Sequence, residues 1–182
     1  MYRERQLLEA VGLGARARRG ATVSLTQPVA SDHQLARLLQ IGMVLEEVVE
    51  ARAARHTAGL EGAADEAVSQ VLEEAAIEAA DHRDQLKALA GELAAEPVPY
   101  EDIETLVAAR YEVETNTDGV LYDQLANEET AYKFYDDLID AIEQSDVSFS
   151  IDREALVEQL RALREDEAQG VKQVTSLMER RT

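Results

Sequence analysis

Residues 68–93 read VSQVLEEAAIEAADHRDQLKALAGEL, and their periodicity decides the fold. Val68, Leu72, Ala75, Ala79, His82, Leu86, Leu89 and Leu93 recur in alternating steps of four and three. That spacing lays one stripe along an α-helix, and such a stripe faces other helices. The tract is rich in Ala, Leu, Glu and Gln, all strong helix formers, and it has no β-branched alternation.

Outward from this tract the same pattern recurs. A first helix carries Leu39, Met43, Glu46, Glu50, Ala53, Thr57 and Leu60; a third carries Leu121, Leu125, Glu128, Tyr132, Tyr135, Ile139 and Ile142. A fourth carries Leu156, Leu160, Leu163, Glu167, Gly170, Val174 and Leu177. Punctuation sets the boundaries. Ser31 with Gln34 reads as a capping box that opens helix one, which Gly59 and Gly62 close. Helix two runs from about residue 64 to 95 and stops before Pro97; Pro99 starts a shorter helix near 100–114. The third long helix covers about 120–144, and Asp152 caps the fourth, which reaches about Arg180. Residues 3–12 read as a short helix within a basic arm, 1–30, so that 31–182 form the single domain. Helices of this length are about 35–45 Å long, the dimension of a four-helix bundle. The fold class is all-α.

Each seam is interrupted near its middle by a residue that a plain bundle avoids. These are Glu46 and Glu50 in helix one, His82 in helix two, Glu128 in helix three and Glu167 in helix four. Burying a lone carboxylate costs several kcal/mol unless it is protonated, paired or metal-bound. Carboxylates converging with an imidazole repel one another, and a cation removes the repulsion. Oxygen donors with one imidazole nitrogen suit iron(II), manganese(II) or zinc(II). The bland alternative makes His82 a core histidine hydrogen-bonded to Glu128, with Glu167 paired to an arginine from a neighbouring helix. His33, in a helix-start turn, and His56, off the seam, carry less weight, and Glu78, Asp81 and Glu165 read as solvated.

The segment Asn127-Glu128-Glu129-Thr130-Ala131-Tyr132-Lys133-Phe134-Tyr135-Asp136-Asp137-Leu138 resembles the glutamate-bearing helix of the rubrerythrin branch of ferritin-like proteins. Asp81-His82-Arg83-Asp84-Gln85-Leu86 resembles the ligand helix of the same family around its histidine. The resemblance covers about residues 32–180. It implies a four-helix bundle with a long crossover, holding iron or manganese that reacts with peroxide, dioxygen or iron. The family places one Glu on each of two helices and Glu-x-x-His on the other two. A shift of 88 residues superposes helix two on helix four and aligns His82 with Gly170. The motif then reads Ala79-x-x-His82 in one half and Glu167-x-x-Gly170 in the other, so each half lacks a different ligand. Carried over, the metal ligands are His82, Glu128, Glu167 and either Glu46 or Glu50. The repeat favours Glu46, and the run Glu50-Ala51-Arg52-Ala53 fits the family's texture better. Gly170 is expected to leave a position open to water, with Tyr132 and Tyr135 as outer-shell hydrogen-bond donors or redox-active groups. Related bundles usually pair through helix faces, which implies a homodimer.

Composition narrows the rest. The chain of 182 residues has 37 Asp+Glu against 18 Lys+Arg, a net charge of −19, and no cysteine. Iron–sulfur clusters, thiolate zinc sites and disulfides are therefore excluded within it. Neither haem nor nucleotide is expected, since no Walker loop or dinucleotide fingerprint occurs. The acid excess argues against nucleic acid as partner. No apolar run approaches the ~18 residues of a membrane span, so a cytoplasmic protein without membrane contact is the expectation. Only Lys87, Lys133 and Lys172 are lysines, and this acid-rich, lysine-poor composition resembles that of proteins adapted to molar salt. Arg3, Arg5, Arg16, Arg18 and Arg19 make residues 3–19 basic, an arm suited to an acidic protein partner. A second function follows from the missing ligands: a metal-free bundle that serves as a scaffold and docks through this arm.

Overall fold

Ser31 opens the first helix as its spacing predicts: its hydroxyl accepts from the Gln34 N–H (3.2 Å). The Gln34 side chain reaches back to the N–H of Ala30 (2.7 Å), so two otherwise orphaned donors are satisfied. The structure, a computed structural model, describes residues 27–60, 66–97, 99–101 and 117–182. Among these it contains four long helices and no strand: α1 (Asp32–Gly59), α2 (Glu66–Glu92), α3 (Thr117–Glu143) and α4 (Arg153–Arg181). The basic arm, the short helix expected at 3–12, Gly62 and most of the helix expected at 100–114 lie outside the described residues. Asp152 caps α4 by accepting from the Ala155 N–H at 2.8 Å. No helix among the described residues is long and apolar enough to cross a membrane.

α1 packs chiefly on α2 and α3 on α4, while α1–α3 and α2–α4 meet over smaller areas. Hydrogen bonds at one end fix the order. The Val29 N–H donates to the Ala141 carbonyl (3.0 Å), and the Ser150 N–H donates to Asp32 (3.1 Å). The Ala94 N–H donates to the Ser150 hydroxyl at 2.8 Å. The beginnings of α1 and α4 therefore share an end with the finishes of α2 and α3. α2 and α3 run in the same direction, and the chain leaves α2 at one end of the bundle and enters α3 at the other. A bundle in this order needs one long connection. Arg153 closes the end of α3 with bonds to the carbonyls of Ile142 (3.2 Å), Ser145 (2.7 Å) and Val147.

The predicted seams follow the buried faces, with departures on α1, where Val49, Arg52 and His56 are buried and Glu50 is not, and on α3. On α2 the buried residues are Val68, Leu72, Ala79, His82, Leu86 and Leu89, all from the stripe read above. On α3 the stripe steps by three from Glu128 to Ala131 and not by four to Tyr132. Tyr132 is consequently 37% exposed, and Tyr135 is fully buried.

The apolar core falls into two clusters. One contains Met43, Leu86, Phe134 and Leu163; the other contains Ala53, Leu72, Leu121 and Val174. On every helix the polar interruption lies between the residues given to one cluster and those given to the other. The bundle is thus two apolar plugs separated by a polar layer. At Gly42 α1 packs tightly on its neighbours: a Cβ there would stand 2.9 Å from the Phe134 ring and 3.0 Å from Leu86.

Candidate metal centre

His82 is the hub of the polar layer. It is 1% exposed, and its Nδ1 lies 2.9 Å from Glu167 Oε1 and 3.4 Å from Glu46 Oε1. Its other ring nitrogen, Nε2, lies 3.2 Å from Asp166 Oδ2 at the surface. Glu46 also accepts a hydrogen bond from the Tyr135 hydroxyl. Glu128, 5% exposed, accepts from Gln124 Nε2 and hydrogen-bonds with Glu167. All four helices contribute.

One donor atom each from Glu46, His82 and Glu167 lies within 4.8 Å of the others. That spacing fits a metal. Donors about 2.1 Å from one cation stand about 3.0 Å apart at a right angle and about 3.4 Å at the tetrahedral angle. A histidine that binds metal through one nitrogen characteristically gives its other to a carboxylate, the position Asp166 holds here. Sequence reading passed over Asp166 because it lies off the seam, next to Glu167, and passed over Gln124, which precedes Glu128 by one helical turn.

Electrostatics show what holds this group without a cation. Burial lowers the His82 pKa, but its hydrogen bonds to Glu167 and Glu46 and their charges outweigh burial and push it up to about 11. Burial, then the charge of Glu46, holds Glu167 well above the usual carboxylate range. Burial also raises Glu128 to about 7, against the hydrogen bonds from Gln124 and Glu167. Burial and Glu46 raise Tyr135 in turn. Protons therefore do the neutralising in the metal-free protein, and a divalent cation would displace them.

A pH dependence follows. Glu128 keeps its proton in the folded chain up to about pH 7, whereas the unfolded chain loses it near 4.5. Wild-type stability therefore falls over that window, by about 3 kcal/mol from this group. Glu128→Gln lacks the titration. With chelator present, urea melts at pH 4.5 and pH 8 are expected to show the variant gaining on wild type by that margin at the higher pH.

Glu50 is not brought to the group. It sits one turn beyond Glu46 on α1, and its carboxylate pairs with Arg83, both side chains partly exposed. Tyr132 also lies outside, on the solvent side of α3, which leaves Tyr135 as the tyrosine touching the layer. His82 bonds to Glu167 and Glu46 and not to Glu128, and Glu167 pairs with His82 rather than an arginine. At Gly170 a Cβ would fall 2.0 Å from Glu128 Oε2, so Glu128 takes the space next to it, while Gly170 also lines an open cavity. Asp81 and Glu165 are exposed as expected, while Glu78 is half-buried, with its pKa raised by burial.

A second buried polar centre joins α1 to α3. Arg52 Nη1 donates to Asp123 (2.7 Å) and Asn127 (3.0 Å), and His56 Nε2 lies 3.0 Å from Asp123. Here a guanidinium already neutralises the carboxylate, so this centre has no need of a cation. Its signal in the sequence is two i,i+4 pairs on facing helices, Arg52 with His56 and Asp123 with Asn127. Comparison of the chain with protein-family models, curated proteins and solved structures found no match.

Proposed function

We propose that the chain is a ferritin-like bundle in which Glu46, His82 and Glu167, with Glu128 beside them, hold a divalent iron or manganese ion that acts on peroxide, dioxygen or iron. The observation that carries this reading is the polar layer itself. Three buried carboxylates and one imidazole, drawn from four helices, meet between two apolar clusters. Such a layer costs stability, and a bundle built only for folding gains by replacing it with apolar side chains. The parallel course of α2 and α3 agrees with the one-crossover order of the resembling family.

When bound, a redox metal supplies electron exchange with peroxide or dioxygen. The chain supplies the rest. Asp166 orients the His82 ring and Tyr135 orients Glu46. Glu128 titrates near neutrality, so its carboxylate can hold or release a proton beside the group. The 182 residues contain no cysteine, so a reductant from outside them must complete a catalytic cycle.

A metal-free scaffold is the second reading. It is favoured by the fact that Glu46, Glu167 and Glu128 each already have a hydrogen-bond partner inside the layer. Metal analysis decides between the two. Protein purified without chelator, or loaded anaerobically with iron(II), is expected to hold about one metal ion per chain. Less than about 0.1 per chain with no uptake would leave the scaffold reading standing.

A further inference from the structure

A cavity of about 600 Å³ opens between α2 and α4, the helices that share one of the smaller contact areas of the bundle. Its floor includes His82 and Glu128, both at least nine-tenths buried. Glu46 and Glu167 do not line it, so anything entering meets His82 and Glu128 first. Glu74, Glu78, Asp81 and Asp166 stand along its walls, and among the described residues no Lys or Arg lines it. Acidic walls of one sign raise the local concentration of cations and speed their arrival. At about 30 Å³ per water, the volume admits an ion with its hydration shell.

Gly170 explains why the cavity reaches the group. It lies on the wall, and a Cβ there would stand 2.0 Å from Glu128 Oε2 and 2.6 Å from its carboxyl carbon. The missing side chain lets Glu128 lie across α4 with its carboxylate at the cavity floor. We infer that the cavity is the route by which a hydrated divalent cation reaches the buried group. In this route Glu128 is the first carboxylate of the layer that the ion meets, and Gly170 is the positioning residue that seats it. The inference rests on the proposed metal site and adds its point of entry.

Cobalt(II) uptake by the metal-free 182-residue chain tests it, read by the visible absorption that appears when imidazole and carboxylate donors bind the ion. Gln173→Lys, at the exposed rim, is expected to slow uptake about tenfold while leaving the final absorbance at the wild-type level. Glu78→Gln should slow it as well, and Gly170→Ala should both slow it and weaken binding. Ala162→Lys, on the exposed surface of α4 away from the cavity, should leave the rate within about twofold of wild type. If Gln173→Lys and Glu78→Gln load at the wild-type rate to full absorbance, the ion enters elsewhere and the route is wrong while the site stands. If the wild type develops no absorbance, the metal site fails and the route with it.

Discussion

His82→Ala is expected to abolish cation binding and to destabilise the metal-free bundle, the first by at least two orders of magnitude in affinity. Loss of an outer-shell partner already costs about 10–100-fold, and His82 is the only nitrogen donor in the group. The stability effect has a separate cause. Without the imidazolium, Glu46 is left with the Tyr135 hydroxyl and Glu167 with Glu128 as hydrogen-bond partners, and no positive charge in the group faces them. Breaking a buried pair in this way costs about 3–5 kcal/mol. The sign of its pH dependence is fixed by the raised pKa of His82. Its stabilisation is complete below pH 6.5, declines as the pH rises, and is gone above about 11. Denaturant melts in chelator should therefore show a larger penalty for His82→Ala at pH 6 than at pH 10. A penalty that is flat or grows with pH would mean that His82 is neutral in the fold.

Asp123→Ala is expected to cost as much stability without affecting cation binding. Asp123 is the shared acceptor for Arg52 and His56, and its removal takes the Asp123 carboxylate from a guanidinium buried at 8% exposure while the bond to Asn127 remains. The expected loss is about 3–5 kcal/mol, or roughly 10 °C in melting temperature for a chain of this size. The cobalt(II) spectrum should not change, because Asp123 is not part of the Glu46–His82–Glu167 group. A loss below about 1 kcal/mol would show the pair to be solvated. A changed spectrum would show the two polar centres to be coupled through α3. Together the two variants separate buried charge that serves the fold from buried charge that serves the site.

How far the sequence could be read depended on the kind of feature. A stripe with a strict period survives folding, since the residues that face the other helices are drawn from it; on α2 every buried residue of the helix lies on the stripe. His82, Glu128 and Glu167 were visible because a polar residue in such a stripe is costly, and costly residues stand out. The choice between Glu46 and Glu50 was not legible. Both lie on the seam, and what separates them is Arg83, a residue of another helix that captures Glu50. Tyr132 was misplaced because steps of three and four are equally allowed at one point, and packing took the step to Ala131. What lies beside Gly170 was not legible either, since the carboxylate next to it, that of Glu128, comes from α3. Asp166 and Asp123 were missed because both lie off the stripes and gain meaning only from partners far along the chain.

The most direct test is a crystal of the chain soaked in manganese(II), with data collected at the manganese absorption edge. The account predicts an anomalous peak among His82 Nδ1 and the carboxylate oxygens of Glu46 and Glu167, at about 2.1 Å from each. Absence of a peak, with His82 Nδ1 still hydrogen-bonded to Glu167, would contradict it.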